Sequence, residues 1–138
     1  MSKVPFHYID LRTFCYATED ENRVIEAIRA FLPDEFELER METKGHHGDR
    51  IVILSARVEK ADDVRVVLDK LAALENIDQV RAEIDQRVDD NCSFFIHLDK
   101  QAAFKDIAKL GEGLSLRGKV EAYPAKKAKA VEIVREAI

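Results

Sequence analysis

Two adjacent histidines, His46 and His47, stand between glycines, with Asp49 close behind them. Imidazole and carboxylate groups bind metal ions, but a structural zinc site needs four ligands and a catalytic zinc site needs three. Neighbouring side chains on a tight turn do not readily point at one ion, and no cysteine or third histidine is near in the sequence. We therefore predict no metal site. The imidazoles are assigned to the end of a hairpin, where they shield the turn or donate hydrogen bonds to phosphate.

The two cysteines, Cys15 and Cys92, would be candidate nucleophiles if His7 or His97 lay beside them. Cys15 falls in a predicted strand and Cys92 stands directly before another, whereas a reactive thiolate needs an electropositive and partly exposed setting. We predict buried thiols in a cytoplasmic protein, because nothing else in the sequence suggests export. The sequence has no phosphate-binding glycine motif and no serine nucleophile motif. We therefore predict neither an enzyme nor a cofactor.

Lysines near the C-terminus form a set of candidate phosphate ligands. Tyr123 precedes Lys126, Lys127 and Lys129 by a few residues. Lysine binds phosphate as a point charge, and the tyrosine ring offers a stacking surface for a base. The alternative is a solvated helix face that has no ligand.

A second candidate lies where Asp99 and Lys100 follow a predicted strand. Asp99 is placed to cap a helix that begins at Lys100, and the amides at a helix N-terminus attract anions. We expect Lys100 and Gln101 to project from the surface at this point. The alternative is a helix cap with exposed polar neighbours and no ligand.

The charge of the 138-residue chain is unevenly distributed. The formal net charge is −5, which argues against a protein that coats nucleic acid without discrimination. Residues 1–96 carry a net charge of −8, whereas residues 97–138 carry +3. The basic C-terminal third could concentrate phosphate binding on one face, although helix surfaces also vary in charge by chance.

Composition and length indicate one folded domain over residues 1–138. Hydrophobic residues make up 46% of the chain, with 5 glycines and 3 prolines, which excludes a low-complexity or collagen-like chain. No apolar run approaches the ~20 residues of a membrane span. Residues 1–8 lack the apolar stretch of a signal peptide. These features predict a protein without membrane association.

Hydrophobic periodicity predicts mixed strands and helices. Strands are predicted over 6–16, 36–43, 51–58, 93–99 and 114–123, and helices after Thr18 and over 62–74, 77–87 and 125–137. Residues 100–109 are predicted as a short helix or an ordered loop. Thr18 and Glu21 have the spacing of a capping box, and Ala128 falls on the apolar stripe of the last helix.

This order of elements predicts an α+β fold, a two-layer sandwich with the helices on one face of a mostly antiparallel sheet. Alternation places Leu114, Leu116, Gly118, Val120 and Ala122 inward on the last strand. An open sheet face would then carry the basic side chains of several strands, namely Arg12, Arg57, Arg117 and Lys119.

Four segments together resemble a known family of small archaeal proteins. These segments are Tyr8 to Glu21, the turn Gly45-His46-His47-Gly48, Asp99 to Ala103, and Ala122 to Lys126. The family is described as RNA-binding or as a predicted exosome subunit. The resemblance implies a sandwich related to a ribosomal-protein fold, a cytoplasmic setting and no known catalytic residues. After Ala103 this chain departs from the family pattern, since Phe104 and Lys105 stand where Gly-Glu is expected.

We therefore predict a non-catalytic RNA-binding protein associated with RNA processing or degradation, with RNA and exosome-related or ribosome-related proteins as partners. The candidate RNA contacts are Lys100, Arg117, Lys119, Lys126, Lys127, Lys129, His46, His47 and Tyr123. The alternative is a protein-interaction or homo-oligomeric module, such as a homodimer, without RNA contact. That alternative draws on the outward aromatic residues of the first strand, Tyr8, Phe14 and Tyr16.

Overall fold

The computed structural model describes residues 5–138. Residues 1–4, part of the segment 1–8 in which the sequence predicts no signal peptide, lie outside the described residues. The strands are β1 Phe6–Tyr16, β2 Glu39–Lys44, β3 Arg50–Val58, β4 Ser93–Asp99 and β5 Gly113–Val120. The helices are α1 Glu21–Arg29, α2 Ala61–Ala72, α3 Ile77–Ala82, α4 Ile84–Arg87, α5 Lys100–Ala103 and α6 Lys127–Ala137.

The five strands form one sheet in the order β2-β3-β1-β5-β4, and every neighbouring pair is antiparallel. The first strand lies at the centre, with Leu11 opposite Ala56 on one side and opposite Leu116 on the other. The helices pack on one face of this sheet, which confirms the predicted two-layer α+β fold.

Alternation along the strands builds the core between sheet and helices. Ile9, Leu11 and Thr13 of β1 are buried, and the inward residues predicted for the last strand are buried as well. Gly118 is one of these inward residues, and a Cβ atom at this position would lie 2.6 Å from Cε1 of Phe6. The absence of a side chain thus makes room for the Phe6 ring.

Some local predictions are wrong. The first helix is capped by Asp20, whose carboxylate accepts from the Asn22 amide, so Thr18 is not the cap. Glu21 instead accepts hydrogen bonds from Arg40 of β2. The predicted helix over 77–87 is divided at Glu83. Ala128 is exposed, because the last helix begins at Lys127 and turns Ala130 and Val131 inward.

None of the helices in the described part of the chain is both long enough and apolar enough to cross a membrane.

Candidate nucleic-acid interface

The sheet face that carries no helix is open and bears arginines on three neighbouring strands. Arg57 of β3 lies opposite Asp10 of β1, Asp10 lies opposite Arg117 of β5, and Arg117 lies opposite Phe95 of β4. Strand alternation sends all four side chains to this face, because their sequence neighbours point into the core. The prediction that Arg12, Arg57, Arg117 and Lys119 share one sheet face is confirmed by this register. We call this surface the open face.

A second row of polar side chains crosses the open face beside the first. It runs from Glu39 through Ser55, Arg12 and Ser115 to His97, each directly opposite the next. The two rows line a shallow depression of about 870 Å³ that spans all five strands. A concave surface with hydroxyl and guanidinium groups can hold a polar, anionic ligand.

One of the open-face arginines is internally neutralised. Arg57 donates to both carboxylate oxygens of Asp10, over 2.8 and 2.9 Å. Hydrogen bonding to this carboxylate raises the pKa of Arg57, and the Asp10 charge raises it further. Arg57 therefore offers little free charge to a ligand.

Arg12 and Arg117 are different, because neither has an ion-pair partner within residues 5–138. Arg117 has one long contact, 3.4 Å, to the Ser93 hydroxyl. Both side chains are exposed. Their charges are therefore available to phosphate groups.

Each of the three arginines lies over an aromatic ring of the open face. The guanidinium carbon of Arg57 is 4.1 Å from the Tyr8 ring centre, and that of Arg117 is 5.5 Å from Phe95. Arg12 lies 5.5 Å from Phe14. Such cation–π contacts hold the planar guanidinium against the sheet and leave its other side open to a base or a phosphate.

Lys100 does not project from the surface as expected. The residue is 6% exposed, and its Nζ donates over 2.9 Å to the Phe14 carbonyl and over 2.9 Å to the Glu19 carboxylate. The Asp99 cap itself is confirmed, since its carboxylate accepts from the Ala102 amide. The capped helix turns Lys100 inward beneath the end of β1, so Lys100 is unavailable to phosphate.

The remaining lysines lie outside the two rows of the open face, and Lys126, Lys127 and Lys129 belong to the start of α6. Lys126 and Lys127 are exposed at the start of α6, and Tyr123 is 73% exposed just before them. Lys129 forms an ion pair with Glu132 on its own helix, at 3.7 Å. Lys119 is on the open face, and its Nζ donates to the carbonyl of Asn91.

The histidine turn lies at the other end of the sheet. It joins β2 to β3 beside the last residue of β1, whereas β5 ends beside the first residue of β1. His46 and His47 are exposed, with ring centres 5.3 Å apart. At about 3.4 Å per residue, the ten steps along the 11 residues of β1 separate these two ends by roughly 34 Å. The histidines and the α6 lysines therefore do not form one compact site.

Phe95 and His97 also belong to the open face, although neither was among the residues predicted for the site. Both are exposed on β4, between the buried Phe94, Ile96 and Leu98. The alternation along β4 places Phe95 and His97 together on one face. Assigning that face to the site also requires knowing which face of β4 meets the helices.

No set of three or more histidine, cysteine or acidic side chains in residues 5–138 is arranged to hold a metal ion. Both cysteines are free and buried. Burial raises the pKa of the Cys15 thiol, and the charges of Glu19 and Glu21 raise it further. This setting is the opposite of the one that activates a cysteine nucleophile.

The all-antiparallel sheet, the helix layer on one side of it and the open face on the other together define a small two-layer α+β protein. A family model described as RNA binding matches residues 8–120, and the chain belongs to this family. The predicted family resemblance is thereby confirmed.

Archaeal relatives match over most of their length. RNA-binding protein PAB1135 of Pyrococcus abyssi is 34% identical, over 97% of this chain and 94% of its own length. Uncharacterized protein MJ0213 of Methanocaldococcus jannaschii is 31% identical over 76% of each chain. The solved structure of Mth689, a DUF54 protein from Methanothermobacter thermautotrophicus, is 34% identical with a TM-score of 0.83, covering 96% of this chain and 98% of that one.

Proposed function

We propose that this protein binds RNA through the open face and carries out no reaction on it. The observation that carries the proposal is the pair Arg12 and Arg117, two exposed guanidinium groups without an ion-pair partner in residues 5–138, each beside an aromatic ring. The RNA-binding name of the family and of the Pyrococcus relative supports it.

The chemistry of the open face suits a flexible strand. Guanidinium groups bind phosphate oxygens in a bidentate way, which fixes the position of the backbone. The aromatic rings and the outer sides of the stacked guanidinium groups give bases a surface to stack on, as in sequence-tolerant RNA recognition. The serine hydroxyls and His97 between them supply hydrogen bonds.

The exposed lysines extend this surface for longer RNA. Lys119 lies at the end of the open face towards which β5 runs, and Tyr123, Lys126 and Lys127 follow β5 in the chain. We place the backbone of a longer strand along this direction. His46 and His47 lie at the far end of the sheet and would meet only an extended RNA.

The test is a titration of fluorescently labelled single-stranded RNA, followed by fluorescence anisotropy at two salt concentrations. Neutralising three phosphates on a single strand gives a slope of about −2 in log K against log salt, or roughly a 20-fold loss of affinity between about 50 and about 200 mM salt. The RNA should be recovered at its original length. No binding at low salt, or cleavage that co-purifies with the folded protein, would refute the proposal.

A role in RNA processing or degradation is the finer part of the proposal, and it is supported by the family resemblance. The tagged protein should retrieve exosome or ribosome-related proteins from an archaeal extract. Retrieval that disappears after nuclease treatment would mean that RNA alone bridges the proteins. Retrieval that persists would indicate direct contact.

A second candidate is a protein-interaction module that uses the same sheet. Tyr16 is 50% exposed and Met41 is 60% exposed. Phe14 precedes Tyr16 on the open face of β1, and Ile53 of β3 lies between Phe14 and Met41. Exposed apolar side chains of this kind are common where a protein partner docks. A protein that binds no RNA at low salt yet retains a partner after nuclease treatment would favour this candidate.

A further inference from the structure

The two edge strands of the sheet, β4 and β2, differ in whether other segments of the chain cover their outer side. At the β4 edge, Val88 bridges to Phe94 and Leu110 bridges to Leu98. The Gly111 amide also donates to the His97 carbonyl, and the Asp99 amide donates to the Lys109 carbonyl. Loops therefore cover this edge along most of its length.

The β2 edge has no such cover within residues 5–138. All six residues Glu39–Lys44 are exposed, and the strand pairs with β3 on one side only. It contains no proline, and its register with β3 is unbroken. A regular edge strand with unpaired amides and carbonyls is a template for another strand, and proline or a bulge commonly blocks such pairing.

The charges of β2 are balanced although the chain as a whole is acidic. Glu39 and Glu42 offset Arg40 and Lys44. On the helix side, Arg40 lies 2.9 Å from Glu21 and 2.8 Å from Glu42. The edge therefore does not repel a copy of itself.

We propose that two copies of this chain join through their β2 edges to form one ten-stranded antiparallel sheet, with Met41 on the two-fold axis. Side chains directly opposite each other in an antiparallel pair share a face, so only registers that keep the two open faces continuous are compatible with the fold. The charges on β2 then determine which of these registers is the most stable.

When Met41 lies opposite Met41 of the second copy, Arg40 lies opposite Glu42 of the second copy. By symmetry, Glu42 of the first copy lies opposite Arg40 of the second. Shifting the centre to Arg40 places two arginines opposite each other. Shifting it to Glu42 places two glutamates opposite each other, and Arg40 opposite a lysine. Like charges directly opposite are destabilising, so both of these registers are disfavoured. A register centred on Thr43 also pairs opposite charges, Glu42 with Lys44, but it overlaps only residues 42–44 of each strand, whereas the Met41-centred register overlaps residues 39–43 and is therefore the favoured one.

The same register joins the apolar part of the open face. Met41 is opposite Ile53 of its own chain, so the axis brings Met41 and Ile53 of both copies into one continuous stripe. This stripe gains apolar contact that the 60%-exposed Met41 lacks in the monomer. The two sets of open-face arginines remain uncovered on either side of it.

Cysteine cross-linking tests the register without changing any charge. The Met41→Cys variant brings two thiols face to face on the axis and should cross-link fully under mild oxidation. The Thr43→Cys variant is the matched control on the same strand face. Its two thiols would be offset by four residues, about 13 Å, which exceeds the Cα separation that a disulfide spans. Both wild-type cysteines are buried and do not contribute.

A mixing experiment tests the charge pairing. The Arg40→Glu variant places Glu opposite Glu42, and the Glu42→Arg variant places Arg opposite Arg40, so each should sediment as a monomer. An equimolar mixture restores both opposite-charge pairs and should sediment as a 1:1 dimer. Thermal melting of each variant alone verifies that it is folded.

The wild-type chain, without RNA, should show concentration-dependent dimerisation in sedimentation equilibrium. A strict monomer up to millimolar concentration would overturn the inference, as would equal cross-linking of the Met41→Cys and Thr43→Cys variants. A mixture no more associated than its separate components would do the same. None of these measurements involves RNA, so their failure is distinct from failure of the proposed function.

Discussion

Asp10 and Arg57 lie on neighbouring strands at the centre of the open face and form a two-point ion pair, at 2.8 and 2.9 Å, stacked against Tyr8. This pair removes one arginine charge from the surface while it holds the guanidinium plane flat on the sheet. The open face is therefore less basic than a count of its arginines suggests.

The Asp10→Asn substitution should tighten RNA binding. It removes the negative charge that neutralises Arg57 and keeps the size of the side chain. We expect affinity at low salt to rise by about 3- to 10-fold, together with a steeper salt dependence, because one more phosphate is neutralised. Anisotropy titrations at two salt concentrations measure both quantities. An unchanged affinity would mean that RNA does not approach Arg57.

The Lys100→Met substitution should destabilise the fold. It leaves the largely buried Glu19 carboxylate without its cation and the Phe14 carbonyl without a donor. Removing one partner of a buried ion pair costs more than the pair itself contributes, and we expect the free energy of unfolding to fall by about 2–4 kcal/mol. The exposed Lys105, changed to Met, is the control and should alter stability by less than about 0.5 kcal/mol. Urea denaturation distinguishes the two, and equal effects would contradict the buried role of Lys100.

The Gly118→Ala substitution tests the close approach of β5 to Phe6. The added methyl group would lie 2.6 Å from the Phe6 ring, so the ring or the strand must shift. Overpacking of this kind costs about 1–3 kcal/mol. In the Phe6→Leu/Gly118→Ala double variant, the smaller leucine side chain makes room for the added methyl group. The loss of stability in this double variant should therefore be smaller than the sum of the losses in the two single variants. Strict additivity would show that the two residues do not interact.

Cys15 should be protected from alkylation in the folded protein. Its thiol is buried, and burial raises its pKa, so little thiolate is present near neutral pH. Because the thiol ionises at a lower pH in the unfolded chain, stability should fall as the pH rises above about 8.5. A Cys15→Ala variant should lose this component of the pH dependence. Alkylation of Cys15 at the same rate in native and denaturing buffer would contradict the buried setting.

Much of the fold was predictable because the strands alternate strongly. The alternation over 6–16 and over the last strand determines which residues face the core, and the observed register brings Arg12, Arg57 and Arg117 together as expected. The turn residues between these segments were also sufficient to predict the order of the strands and helices along the chain. The α+β layering follows from these two features.

The candidate site was less predictable because it depends on contacts between distant segments. Nothing near Lys100 in sequence shows that its amine reaches Glu19, which is 81 residues away. Likewise, Asp10 neutralises Arg57 across 47 residues. A late cluster of lysines is conspicuous in the sequence, whereas the exposed arginines become a surface only when the sheet is assembled.

RNA binding at the open face is tested most directly by matched charge reversals. The Arg12→Glu/Arg117→Glu and Lys126→Glu/Lys127→Glu variants change the net charge equally, so general electrostatics affects both alike. With a single-stranded RNA of about ten nucleotides, the arginine pair should lose more than about 100-fold in affinity and the lysine pair less than about 5-fold. An equal loss in both variants, or a greater loss in the lysine pair, would contradict binding at the open face.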